Sequence, residues 1–469
     1  MDTQEFDLII IGSGSGNSLI DGNWDNKKVA IIDGGTFGGT CLNFGCIPTK
    51  QYVYPATVAH TAEHIDHLGV KAKVTDVNWS AMRDRIFARI DAISNGGLDY
   101  RKGLNNVTVF EEYAHFVDTH TLETDSGARL SAPQIVLATG SRSVLPDVPG
   151  IDSSLVHTSD TVMRIDALPA RVLILGGGFI AAEFAHVFNG LGAEVIQAHR
   201  SDVLLRKNDS EISQKFAEQA AKQWDLRLNR SLKEIRENSD GTATVTFKHE
   251  GKIEEIETDL ILVATGRRPN SDTLAAEKFF DVDEKTALVS VDAAQRVLKD
   301  GEPVDGIFAL GDVSSMYQLK HVANAEARTV QYNLVHPESM RETDHRYVPA
   351  AVFTHPQIAH VGLTEEEARE KAQDEGFELA VKVQNIGDVA YGWAMEDSVG
   401  FVKLLANKKT GELLGAHIMG EEASNLIQPI IQAMSFGLSA HEMARGQYWI
   451  HPALSEVIEN ALLGLETEK

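Results

Sequence analysis

Short apolar runs punctuate the first two thirds of the chain, and each opens within three residues onto a glycine. They are DLIII before Gly12, QIVLA before Gly140, RVLIL before Gly176, LILVA before Gly266 and GIFAL before Gly311. Runs this short, continuously apolar and rich in β-branched residues predict strands buried on both faces, as in parallel sheets. Residues 6–33, FDLIIIGSGSGNSLIDGNWDNKKVAIID, echo residues 171–199, RVLILGGGFIAAEFAHVFNGLGAEVIQAH, and each predicts strand, glycine turn, crossover helix and second strand. QIVLATGSR at 134–142 and LILVATGRR at 260–268 predict a closing strand for each unit, and DGIFALGDV at 305–313 predicts a further strand ending at Gly311 and Asp312. From about residue 345 the pattern changes. GFVKLLAN and LLGAHIMG predict short strands, and Leu426, Ile427, Ile430, Ile431 and Met434 predict a helix over 424–438 whose stripe faces a core.

A chain of 469 residues exceeds the roughly 100–200 residues one core supports, so about three domains are expected. Pro146, Pro149, Gly150, Pro269 and Asn270 mark linkers. A net charge of −25 repels nucleic-acid phosphate and anionic lipid. The acidic start MDTQEFD is no secretory leader, and no run approaches the ~20 apolar residues that span a bilayer. Two cysteines are too few for a secreted scaffold, so a cytoplasmic protein is expected.

Chemistry gathers at four places. Gly12 and Gly14 suit a tight turn that presents backbone N–H groups to a pyrophosphate, and Asp33 stands 21 residues after Gly12, where a carboxylate takes ribose hydroxyls. Asn17 occupies the third glycine position, which predicts looser packing there. In the second unit Gly176, Gly178 and Ala181 give G-x-G-x-x-A. His199 replaces the strand-end acid, and Arg200 and Arg206 follow, a pair suited to a ribose 2′-phosphate and so to NADP over NAD. GGTCLNFGCIPTK at 38–50 places Cys41 and Cys46 before a helix-like stretch, where positive potential favours thiolate. WIHPALSE at 449–456 sets His451 five residues before Glu456, an acid–base pairing by residue type.

Together these motifs resemble the pyridine nucleotide-disulfide oxidoreductases, the family of glutathione reductase, dihydrolipoamide dehydrogenase and mercuric reductase, over essentially the whole chain. The resemblance implies an α/β protein with two Rossmann-like dinucleotide-binding domains plus a C-terminal α+β dimerisation domain. The FAD-binding domain falls at 1–148 and 272–343, the NADPH-binding domain at 149–271 and the dimerisation domain at 344–469. Carried over by position, Cys41 is the thiol that attacks substrate and Cys46 the one facing the flavin. Lys50 lies near the flavin and pairs with Glu183, Asp312 binds the ribitol chain, and Phe179 is an aromatic lid. Ser15, Gly16, Gly39, Thr40, Thr139, Gly140 and Gly266 complete the cofactor-contacting set. His451 and Glu456 serve the other subunit of a homodimer.

Within the family, GSGSGNS and TFGGTCLNFGCIPTKQYVY resemble the branch that reduces mycothiol disulfide, with Phe44 a small departure. The alternatives are a dihydrolipoamide dehydrogenase, against which the missing acid at His199 speaks, and a glutathione reductase. A mercuric reductase would carry an extra cysteine pair. Segments 13–24 and 51–60 hold no Lys or Arg, and Asn17, Ser18, Asn23, Trp24, Gln51, Tyr52 and Tyr54 are expected to offer a neutral amino sugar the polar and aromatic surface it needs.

Overall fold

The computed structural model describes residues 3–468. Leu8–Ile11 sits inside a six-stranded sheet ordered Arg296–Lys299, Glu302–Ala309, Gln134–Leu137, Leu8–Ile11, Val29–Ile32 and Val107–Phe110. All neighbours run parallel except the first pair. Ile9 and Ile11 pack on one side with Phe116 and Leu122, and Leu8 and Ile10 on the other with Leu19 and Trp24, which is why the run is apolar at every position.

The second echo forms its own sheet of five parallel strands, Val156–His157, Leu260–Val263, Arg171–Leu175, Glu194–Ala198 and Asp225–Arg227. Helices Phe179–Gly190 and Ser210–Gln223 cover one face, and a three-stranded antiparallel sheet covers the other. The two ATG turns are joined by an antiparallel ribbon, Ser141–Ser143 with Arg267–Pro269. From residue 350 five antiparallel strands form the C-terminal sheet, ordered Ala350–Val352, Gln357–Gly362, Leu413–Gly420, Phe401–Asn407 and Leu379–Asn385.

Three expectations need correction. No α-helix follows the first glycine turn: the crossover is two 3-10 turns, Gly16–Leu19 and Gly22–Trp24. Asp21 accepts from the Asn23 N–H at 2.9 Å, a local turn bond that competes with helix continuation just before Gly22. Packing at this turn is not looser, because Gly16 rather than residue 17 makes the close approach; a Cβ there would fall 2.8 Å from Ile10 and 2.9 Å from Ala138. The helix expected over 424–438 is broken into Ala423–Leu426 and Gln428–Phe436, since Pro429 has no N–H to continue the ladder. Its stripe does pack as core around Ile427, Ile430 and Met434. Among the described residues no helix is long and apolar enough to cross a membrane.

Candidate functional site

The cysteine loop is shaped by two glycines. Gly38 and Gly39 adopt φ of 97° and 73°, and a Cβ on Gly39 would fall 2.8 Å from the Gly14 Cα, so the loop lies directly on the first glycine turn. Buried Asn43 locks it from behind by donating to the carbonyls of Phe37 and Gly39. Cys41 rides on the short helix Gly39–Asn43, and Cys46 begins the long helix Cys46–His64. Both thiols are free. Hydrogen bonding with Cys41 pushes Cys46 down to about 7, aided by the Lys50 ammonium and opposed by burial. The same hydrogen bond, then burial and the charge on Cys46, push Cys41 up. Cys46 is therefore the more acidic of the two thiols, as suits its place at a helix N-terminus.

One turn along that helix, Lys50 Nζ donates to both oxygens of buried Glu183, at 2.8 and 2.7 Å. The Phe353 N–H also donates to Glu183, and Lys50 Nζ lies 4.6 Å from the Phe353 ring centroid. Three segments distant in sequence thus converge beside the cysteines. Phe179, at the start of the Glu183 helix, is 43% exposed.

A cleft of about 2260 Å³ runs from one glycine turn to the other past both thiols. It gathers nearly every residue expected from the sequence, from Gly12, Gly14, Ser15 and Asp33 through Gly39, Thr40, Cys41, Cys46 and Lys50 to Thr139, Gly140 and Asp312. Gly176, Gly178, Phe179, Glu183, Arg200, Arg206 and Gly266 line its other half. Gly16 and Ala181 do not line it but pack behind the two turns. A dinucleotide fits the first half. Gly12, at φ 106°, leaves no room for a Cβ against the Ala138 carbonyl, and the Thr139 hydroxyl is buried without a partner among the described residues. The Asp33 carboxylate is aimed by the Ser13 N–H and hydroxyl, and Ser141 donates to Asp312 at 2.6 Å.

In the second half Arg200, Arg206 and Lys207 are exposed, line the cleft and make no hydrogen bond or ion pair among the described residues. A pair of unspent guanidiniums beside a glycine turn is what an additional phosphate requires. His199 is held below the ordinary imidazole value, first by burial and then by Arg200 and Arg206, so it adds no charge of its own there.

His451 Nδ1 and Glu456 Oε1 are 2.6 Å apart. The imidazole is exposed, while Glu456 Oε2 is buried and unpartnered. Neither residue lines the cleft of its own chain, and Tyr448 and Ile450 beside them are fully or largely exposed. Three of the residues expected to face a sugar are otherwise engaged. Trp24 and Tyr52 are buried in cores, Tyr52 donating to the Met163 carbonyl, and Asn17 is taken by Arg101. None of Asn17, Ser18, Asn23, Trp24, Gln51, Tyr52 and Tyr54 lines the cleft. Sequence reading passed over Lys320, whose ammonium donates to Ser15 Oγ at 2.8 Å; a lone cation at a helix start gives no local signal of that contact.

Comparison with known proteins agrees with this geometry. Residues 6–328 match the family described as Pyridine nucleotide-disulphide oxidoreductase, and residues 348–462 match its dimerisation domain. Mycothione reductase of Mycobacterium tuberculosis is 51% identical over 98% of this chain and 100% of its own. Dihydrolipoyl dehydrogenase of Corynebacterium glutamicum is 32% identical over 99% of this chain and 98% of its own. Glutathione reductase of Burkholderia cepacia is 31% identical over 97% and 98%. Among solved structures, the HOCl-induced flavoprotein disulfide reductase RclA from Escherichia coli superimposes with a TM-score of 0.83 at 27% identity, covering 97% of this chain and 99% of that one.

Proposed function

The chain belongs to the pyridine nucleotide-disulphide oxidoreductases, and from that premise we propose that it reduces mycothiol disulfide with NADPH, as a cytoplasmic homodimer whose two active sites are each built from both subunits. It is a flavoprotein disulfide oxidoreductase that uses FAD and NAD(P)H. The observation that carries the reading is the placement of Cys41 and Cys46 in one cleft between two glycine turns, beside the Lys50–Glu183 pair.

Gly12, Gly14, Asp33, Thr139 and Asp312 would hold FAD, and Gly176, Gly178, Arg200 and Arg206 would hold NADPH. FAD supplies a relay for two electrons from nicotinamide to the cysteines. The Cys41 sulfur attacks one sulfur of the substrate; a mixed disulfide forms and the first thiol leaves. Cys46 then attacks the Cys41 sulfur, the second thiol leaves, and a Cys41–Cys46 disulfide closes, to be reopened by the two electrons of NADPH and one proton from solvent. The sum is one disulfide, one NADPH and one proton consumed, two thiols and NADP⁺ formed.

Cys41 is the less acidic thiol of the pair, and a base that takes its proton makes it the stronger nucleophile. His451 of the partner subunit, oriented by its own Glu456, supplies one, and afterwards returns the proton to the leaving thiol. Lys50 favours the anion at Cys46, and Glu183 fixes the ammonium in place.

Mycothiol disulfide rests on likeness to mycothione reductase along 98% of the chain. The test is turnover of mycothiol disulfide, glutathione disulfide and lipoamide, each with NADPH and with NADH. The expected result is the highest kcat/KM for mycothiol disulfide with NADPH. Faster reduction of glutathione disulfide overturns the substrate, and equal use of both nucleotides overturns the NADPH preference.

A further inference from the structure

Arg206 lies on a loop held at two points. In front, Leu205, at φ 51°, donates its N–H to the Gly177 carbonyl of the second glycine turn at 2.7 Å, and its own carbonyl accepts from Ser213 and Asn208. Behind, three positions after Arg206, Asp209 caps the helix Ser210–Gln223 by accepting from the Glu211 N–H at 3.1 Å. Asp209 is 1% exposed, a depth at which a carboxylate needs a charged partner. The partner comes from the C-terminal sheet, well outside the nucleotide-binding unit. Lys403, on the strand Phe401–Asn407 and itself 2% exposed, places Nζ 2.9 Å from Asp209 Oδ1 and 2.6 Å from Glu365 Oε2. Asp209 Oδ2 accepts from the Glu365 N–H at 3.0 Å, so both oxygens of the cap are bound by the C-terminal region.

We infer that Lys403 is a positioning residue for nucleotide choice: through Asp209 it fixes the loop that presents Arg206 and Lys207 to the ribose 2′-phosphate. This rests on the reading of Arg200 and Arg206 as the grip on that phosphate. The front anchor is backbone to backbone and depends on no charge. The rear anchor is ionic and comes from the region matching the dimerisation domain. Without Lys403, buried Asp209 is left beside the Glu365 carboxylate with no cation upon it, turns toward water, and the cations of the loop leave register with the cleft. NADH, which carries no 2′-phosphate, loses little by this.

The experiment is steady-state kinetics of the flavin-loaded enzyme with NADPH and NADH. Lys403→Met is expected to lower the NADPH-to-NADH ratio of kcat/KM about tenfold, through KM for NADPH rather than kcat. Removing a buried cation from two carboxylates is destabilising, so Asp209→Asn/Lys403→Met is measured beside it; asparagine keeps the helix cap and leaves no unpaired charge at that position. There the ratio is expected to recover toward wild type, because no charge drives the cap toward water; a folded Lys403→Met that keeps the wild-type ratio, or a folded double variant whose ratio stays as low as that of Lys403→Met, overturns the inference. Neutral replacement of Arg200 and Arg206 separates the two readings. If that replacement lowers the ratio while Lys403→Met does not, only the positioning role fails; if it leaves the ratio unchanged, the NADPH reading itself fails.

Discussion

Cys46 owes its acidity to three neighbours of different kinds: the thiol of Cys41, the ammonium of Lys50 and the helix that it begins. Removing a hydrogen-bond donor from an anion raises its pKa, and removing a nearby cation raises it further. In Cys41→Ser a hydroxyl still donates, so the pH midpoint for alkylation of Cys46 by iodoacetamide should stay well below that of an ordinary thiol. In Cys41→Ala the midpoint should move up by on the order of one unit, and adding Lys50→Met should move it up again. Equal midpoints in the serine and alanine variants would show that Cys41 does not set the charge. The cysteines were legible as a redox pair from their spacing and glycine-rich setting alone. Which of them is the more acidic was not, because it rests first on the hydrogen bond between the two thiols, which only the folded loop brings together.

The helices Cys46–His64 and Phe179–Gly190 approach so closely that a Cβ on Gly190 would fall 2.8 Å from the Ala56 carbonyl. Their far ends carry an imidazole cluster. His60 stacks on His64 with centroids 4.2 Å apart, lies 4.5 Å from His355, and meets His186 edge-on. Burial first, and neighbouring imidazoles second, lower His60 to about 4 and His186 to about 3. These rings are neutral in the folded protein, whereas in the unfolded chain they take up protons near 6.5. Stability from their burial is therefore complete above about 6.5 and is lost as pH falls from there toward about 4. Tm should drop over that interval, and His60→Phe should make the drop shallower by roughly 2 kcal/mol at pH 4.5; parallel pH profiles for the two proteins would refute it. The parallel strands were readable because burial on both faces forces uninterrupted apolar runs. The first crossover was not, because Asp21, Gly22 and Asn23 settle it by local hydrogen bonding that the strand–turn–helix pattern does not encode. The Asp209–Lys403 contact was equally invisible, since nothing near either residue announces the other.

At the scale of the molecule, an exposed His451–Glu456 pair outside the cleft of its own chain is a catalytic group only if another subunit brings it there. His451→Ala and Cys41→Ser homodimers should each lose nearly all turnover. Co-expressed, they should regain activity in the mixed dimer, which keeps one intact composite site; verified mixed dimers without activity would place the histidine outside the reaction. The two glycine turns that share the cleft are also polarised by different means. The second backs onto the helix Phe179–Gly190, whose macrodipole is a fixed property of the backbone. The first backs onto 3-10 turns of three and four residues, too short for a comparable dipole, and draws its positive potential from Lys320 through Ser15. A backbone dipole survives any single side-chain replacement, whereas an ammonium does not. Neutralising Lys320 would therefore weaken the positive potential at the first turn, while no one side chain sets that of the second.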